Sequence, residues 1–418
     1  MKATRLKVQG GSVLQGEVAA SGAKNAILPI LAACIMLRGE TRLMNIPQMG
    51  DVNIMLRMLK ALNIRAEYLF QDDVHIVNNK SVRHIAPYEL VTAMRASFFV
   101  AGPLLAMTGY AKVPLPGGCS IGARPVDIHL KGFERLGAKI SIEHGFVEIK
   151  SKRLKANSIP LSFPSVGATE NLMFAACLTE GETVIENAAK EPEIVDCADF
   201  LTQAGAIIEG AGTSVIRIQG VQSLSGVTNY HVIPDRVEVA TLLIAAAITR
   251  GDVRVKNAKA AHIESLLSIL KDIGFSIDSD DNGIRCYGGD SLKPVEVVTE
   301  PYPGFPTDIQ AQLMALLTTI EGKSIIKEAI FENRFMHVQE LVRMGADISI
   351  DNHYAIIRGG KPLSGAEVKI TDLRAGAALL LAGLVAEGES SVYGLHHLRR
   401  GYYDFEGKLK QLGAQIHT

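Results

Sequence analysis

The residues best suited to chemistry lie in one stretch, PGGCSIGARPVD, residues 116–127. Glycines and prolines there let the chain bend sharply and approach a ligand closely. Cys119 follows Gly118 and precedes Ser120, and Arg124 comes five residues later. A thiol in a polar setting beside a cation has a lowered pKa and becomes reactive, as a proton donor or a nucleophile. Cys34 and Cys177 sit inside apolar helical patterns and read instead as small core residues.

A second set of polar residues stands at the starts of six otherwise apolar segments: SGAKNA (Lys24, Asn25), TAMRAS (Arg95), PSVGAT (Ser165, Thr169), PDRVEV (Asp235, Arg236), FPTDIQ (Asp308) and TDLRAG (Asp372, Arg374). Helix N-termini carry free N–H groups and partial positive charge, so they attract anions. Asp235, Asp308 and Asp372 have an equally good explanation as helix caps. Lys24, Arg95, Arg236 and Arg374 do not, because a cation at a helix N-terminus is disfavoured. Their recurrence points to a shared anionic ligand. HHLRRGYYDF adds His397, Arg399 and Arg400, and FENRFMHV supplies Arg334 and His337 at the matching place one unit earlier.

The elements that must position these groups repeat. Glycines at 39, 109, 181, 251, 322 and 388 recur about every seventy residues. Each follows an Ala-rich segment apolar on most sides, the pattern of a helix buried inside a domain, and is expected to end it. A short strand, an amphipathic helix and a two-strand hairpin follow. From the leading glycine to the glycine after the amphipathic helix there are 28 residues in the second copy and 23 to 25 in four others, and the excess falls at residues 114–127. A period of this kind fixes architecture, and a departure from it marks where chemistry can sit. The expected fold is α/β, six βαβαββ units with helices inside and sheets outside, grouped three and three. The strand at ATRLKVQG should pair with the last unit. Residues 1–22 with 234–418 then form one domain, and 23–233 the other, which carries the Cys119 loop.

Composition narrows the function. Basic and acidic residues number 43 and 44, so no global field favours nucleic acid or an anionic membrane. The five cysteines include no CxxC, against a disulfide framework or a zinc site. No apolar leader or membrane span is visible, so a cytoplasmic protein is expected. Phosphate-loop, dinucleotide and zinc-protease motifs are lacking.

The segments SGAKNA, AMRAS, PGGCSIGARPVDIH, SVGATEN, ENAAKEPEIVD, PDRVEVAT, FPTDIQAQ, FENRFMHV, TDLRAG and RRGY, spread over residues 21–403, closely resemble the enolpyruvyl transferases. The resemblance implies a two-lobed inside-out α/β barrel with three repeats in each lobe. It implies transfer of the enolpyruvyl group of phosphoenolpyruvate to the 3′-hydroxyl of UDP-N-acetylglucosamine, releasing phosphate by addition and elimination, in peptidoglycan synthesis. Cys119 is then the acid that protonates C3 and the target of the epoxide fosfomycin, and Asp308 the base for the hydroxyl. Lys24, Arg124 and Arg400 match phosphoenolpyruvate-binding positions, and Arg95 and Arg374 further charged positions. Asn25, Arg124, Pro125, Val126, Asp127, Ile128, Ser165, Val166, Asp308 and Ile330 match nucleotide-sugar positions; Phe163, Gly167, Arg334 and Asp372 join the substrate-binding candidates. Phe163 stands where some members carry Lys, and Arg399 where some carry an acidic residue. No cofactor or metal is implied, and a monomer acting on two small molecules is expected. The alternatives are a 5-enolpyruvylshikimate-3-phosphate synthase-like transferase, against which the cysteine loop and SVGATEN speak, and a non-catalytic relative that binds nucleotide sugar.

Overall fold

The computed structural model describes residues 5–115, 126–289 and 291–418. Cys119, Arg124 and Pro125 lie outside the described residues. Two compact units divide the chain: residues 5–21 and 234–418 belong to one (unit 1), and 22–115 and 126–233 to the other (unit 2).

Unit 1 holds three mixed sheets. Arg5–Gln9 pairs antiparallel with Glu389–Tyr393, in register Arg5↔Tyr393, and with Ile416–His417, while Glu367–Lys369 runs parallel at the edge. Gln15–Ala19 runs parallel to Asp252–Lys256, which joins the hairpin Ser276–Asp280 and Gly283–Tyr287. Glu296–Val298 runs parallel to Gly322–Lys327, which joins the hairpin Asp347–Asp351 and Tyr354–Gly359. Alternate residues of these strands are buried, as in Asp252–Lys256, so one face of each sheet packs on helices. Three helices, Arg236–Ile248, Gln310–Leu317 and Leu373–Val385, pack on one another and are buried on nearly every side. Leu242, Leu313 and Leu380 from these helices share one core with Leu6 and Val8 of the first strand.

Unit 2 repeats the plan. Ser158–Pro160 runs parallel to Glu182–Glu186, which pairs with Val215–Gln219. Leu37–Met44 pairs with Val74–Asn78 and has Leu224–Ser225 and Tyr230–His231 parallel on its other side. The third sheet, Tyr110–Pro114 with Phe146–Lys150 and Lys139–Glu143, is reduced: its parallel partner is a single bridge, Ile85↔Lys112. This is the copy that leads into the cysteine loop.

Two expectations about the helices need correction. Only Gly109 directly ends its helix, as a left-handed C-cap at φ 68°. The other leading glycines come later, at or near the start of the next strand; at Gly251 backbone also comes close, and a Cβ there would lie 2.1 Å from the Leu14 carbonyl oxygen. The stretch TAMRASFFVAGPLLAMT is not one helix. It breaks at the extended Met94 into Tyr88–Ala93, a 3₁₀ turn Arg95–Val100 and Ala101–Thr108.

Candidate active site

The three aspartates at helix starts, alike in sequence, take different roles. Asp235 accepts hydrogen bonds from the N–H groups of Val237 (2.8 Å) and Glu238 (3.1 Å), and Asp372 from those of Arg374 (2.8 Å) and Ala375 (3.0 Å). Both are N-caps. Asp308, in the 3₁₀ turn Thr307–Ile309 ahead of Gln310–Leu317, is not. Its Oδ1 accepts from Nη2 of Arg334 at 2.9 Å and its Oδ2 from Nη2 of Arg374 at 2.8 Å. The two arginine side chains are 6% and 3% exposed, whereas the Asp308 carboxylate is 30% exposed. One reachable carboxylate is thus held at both oxygens by two buried cations, through charge-assisted bonds.

Further groups surround the Arg374 side of this clamp. Its guanidinium carbon lies 5.4 Å from the Tyr402 ring centre. The Tyr402 hydroxyl meets Nε2 of Gln312 at 2.8 Å and Oγ1 of Thr241 at 2.9 Å, and Gln312 also donates to the Asp308 carbonyl at 3.1 Å. Burial works against the Arg374 charge, but Asp308, Tyr402 and Asp235 more than offset it and raise its pKa. Arg400, in the helix Leu395–Gly401, lies near His397, whose pKa is lowered by burial and by the charges of His396 and Arg400, against the opposing pull of Asp372. Arg399 is turned to Glu406, at 2.8 Å. Glu328 was not singled out from the sequence. It is buried and joins Thr307 to the Ile330 backbone.

The candidates in unit 2 gather at the starts of three helices. Lys24 opens Lys24–Ala33 with Asn25 beside it, and its ammonium lies 3.6 Å from the Asp51 carboxylate, both nearly buried. Ser165 caps Val166–Cys177 by accepting from Ala168 N–H at 3.4 Å. Asp127 and Ile128 open Asp127–Arg135, just after the buried Val126. Asp127 meets Lys131 at 3.6 Å in an exposed pair. Phe163 is 42% exposed. A cavity of about 340 Å³ is lined by Ile128, Lys131, Arg135, Ile159, Leu161 and Ser162 among others.

His129, absent from the sequence candidates although it closes the quoted motif PGGCSIGARPVDIH, joins several of them. Its Nδ1 is 3.0 Å from Nδ2 of Asn171, its ring stands edge-on to Phe98, and a Cβ on Gly167 would lie 3.2 Å from its Cε1. Burial and the Arg95 charge lower its pKa, against the opposing Asp127.

The cations at helix starts are thus less anomalous than they look in sequence. Arg374 pairs with Asp308, Lys24 faces Asp51, and Arg236 lies over the Tyr302 ring at 5.5 Å. The thiols of Cys34, Cys177, Cys197 and Cys286 are buried, and burial pushes each pKa up, away from reactivity. Among the described residues no cluster of His, Cys, Asp and Glu could hold a metal ion, and no helix is long and apolar enough to cross a membrane.

Comparison with known proteins narrows the chemistry. Residues 8–409 match the family model described as EPSP synthase (3-phosphoshikimate 1-carboxyvinyltransferase). UDP-N-acetylglucosamine 1-carboxyvinyltransferase 2 of Carboxydothermus hydrogenoformans is 53% identical, with 98% of each chain covered. UDP-N-acetylglucosamine 1-carboxyvinyltransferase 1 of Staphylococcus aureus is 51% identical over 99% of this chain and 98% of its own. Among solved structures, the enolpyruvyl transferase NikO from Streptomyces tendae superposes with a TM-score of 0.89 at 26% identity, covering 99% of this chain and 98% of that one. EPSP synthase from Acinetobacter baumannii, 19% identical with all of both chains covered, shares the fold at a TM-score of 0.78.

Proposed function

The chain belongs to the EPSP synthase family of enolpyruvyl transferases, and we infer that it transfers the enolpyruvyl group of phosphoenolpyruvate to the 3′-hydroxyl of UDP-N-acetylglucosamine, releasing phosphate. This is the entry reaction of peptidoglycan synthesis. The observation that carries the reading from this chain's own geometry is the Asp308 clamp: of three similar aspartates, only this one leaves its cap role and is pinned by Arg334 and Arg374.

The reaction needs an acid and a base. As the 3′-oxygen bonds to C2 of phosphoenolpyruvate, the C2=C3 π pair takes a proton at C3, which we assign to the Cys119 thiol. The hydroxyl proton goes to Asp308. The carboxylate can take it because an oxygen already bonding to carbon has become strongly acidic. Elimination then returns a C3 proton to the Cys119 thiolate, restores C2=C3 and expels phosphate, which carries off the proton held by Asp308. Lys24, Arg124 and Arg400 are proposed to hold the phosphate and carboxylate of phosphoenolpyruvate, with the planar guanidinium suited to two parallel bonds. Asn25, Asp127, Ser165, Val166 and Ile330 are proposed for the nucleotide sugar.

We read the six sheets and their helices as six repeats of an inside-out barrel, three in residues 1–22 with 234–418 and three in 23–233. A cytoplasmic monomer fits substrates that are small, charged and made in the cytoplasm. Phosphate release from phosphoenolpyruvate tests the reading, with UDP-N-acetylglucosamine beside shikimate 3-phosphate as acceptors. Release with the nucleotide sugar is expected, and release only with shikimate 3-phosphate overturns the reading. Cys119→Ser should lose most turnover and escape fosfomycin, whereas Cys119→Asp should retain some turnover and resist it. Mass spectrometry reads the alkylation, and undiminished labelling of Cys119→Ser counts against the acid's assignment.

A further inference from the structure

Glu328 directly follows the strand Gly322–Lys327 and reads in sequence as an ordinary polar residue. In the structure it is 1% exposed, and both its oxygens are occupied. Oε2 accepts from the Thr307 hydroxyl at 2.8 Å. Oε1 accepts from the Thr299 hydroxyl at 2.9 Å and from the N–H groups of Ile330 at 3.0 Å and Phe331 at 3.2 Å. Among the described residues its partners are hydroxyl and backbone N–H groups, so its contacts are those of a brace and not of a charge partner.

Where those contacts lead gives the brace a purpose. Thr307 precedes Asp308, and the loop that starts at Glu328 reaches Arg334, which binds Asp308 at 2.9 Å. The two ends of this loop therefore grip adjacent residues of one turn: Glu328 on Thr307, Arg334 on Asp308. Between them lies Ile330, whose N–H is fixed by the same Glu328 oxygen that holds Phe331. We propose that Glu328 is a positioning residue that locks the Thr307–Asp308 turn to the Ile330–Phe331 backbone, so that a nucleotide sugar seated on Ile330 finds the Asp308 carboxylate in a fixed register. The proposal rests on Asp308 acting as base and Ile330 as a sugar-nucleotide contact.

Three variants of the full chain test it. Thr307→Val keeps the shape of the turn and removes one hydroxyl; kcat should fall by about ten- to a hundredfold, the scale of a small misplacement at a reacting group. Its KM for UDP-N-acetylglucosamine should stay near that of the wild type. Glu328→Ala removes every bond and should lower kcat and raise KM together. Glu328→Gln should restore most of kcat, because its carbonyl can accept from the two N–H groups while its amide donates to the Thr307 hydroxyl. A wild-type kcat in Thr307→Val, or Glu328→Gln as impaired as Glu328→Ala, overturns the proposal. Hydrogen exchange at the Ile330 and Phe331 amides reads the brace without turnover: protection should persist in Thr307→Val and vanish in Glu328→Ala, and survival in the latter also overturns it. Wild-type turnover in the same assay separately reports whether the assigned reaction itself holds.

Discussion

Three carboxyl groups of unit 1 have strong partners, whereas two buried acids of unit 2 are pushed toward the protonated form by burial. Asp308 has two arginines, Glu328 has four neutral donors, and Glu238 meets Lys408 at 2.7 Å and Ser21 N–H at 2.6 Å. In unit 2, Glu170 is fully buried and neither oxygen has a hydrogen-bond partner among the described residues. Burial, reinforced by Glu193 and Glu191, raises its pKa well above the usual carboxylate range. Asp196, bonded to the Tyr230 hydroxyl at 2.9 Å, is pushed up to about 7, chiefly by burial. A buried ion must be paired, whereas an unpaired acid keeps its proton instead. Partners hold the unit 1 carboxylates in place, whereas burial favours the protonated form of Glu170 and Asp196 in unit 2, where Asp51, beside Lys24, is the paired exception.

The largest test of this contrast is Asp308→Asn. It leaves two buried guanidiniums without their anion, a change that costs about 3–5 kcal/mol, and it removes the base proposed for the reaction, a role worth about 10²–10⁴ in rate. Urea unfolding and phosphate release should both report the loss; an unchanged midpoint would show that the clamp contributes no stability. Next comes the pH dependence of unit 2. Because the Asp196 pKa rises from 3.8 unfolded to about 7 folded, the folded state keeps a proton that the unfolded chain releases between those values. Stability therefore falls as pH rises from about 4 to 7, by on the order of 4 kcal/mol, and levels off above. Asp196→Asn keeps an acceptor for Tyr230 and should flatten that slope, as read from hydrogen exchange of Pro192–Gln203 across the pH range. The smallest effect belongs to Glu170→Gln. Replacing a neutral acid by a neutral amide should alter stability at pH 7 by no more than about 1 kcal/mol; a loss of several kcal/mol would mean that Glu170 is ionised and paired, and would erase the contrast.

Much of the scaffold is legible in the sequence because its signals are local. Alternating strands, helices apolar on all sides, and Asp235 and Asp372 as caps follow from residues within a few positions of each other. What stays hidden is decided by partners that arrive from far away. FPTDIQ and TDLRAG look alike, yet Asp308 is distinguished by Arg334 and Arg374, 26 and 66 residues downstream. His129 looks like one polar residue of an amphipathic helix until Asn171 and Gly167 converge on it. Glu328 carries no signal either, since its donors lie in three separate segments.

The pairing of Arg5–Gln9 with Glu389–Tyr393 has a consequence for how the chain comes into being. A ribosome releases the first strand long before its neighbours exist, so unit 1 waits, unfinished, for nearly the whole of translation. Unit 2, whose described residues all lie between 21 and 234, has the strands described above once residue 233 emerges and can close during synthesis. Unit 2 can therefore close first, and the Asp308 clamp of unit 1 can form only when Arg374 and the closing strands arrive.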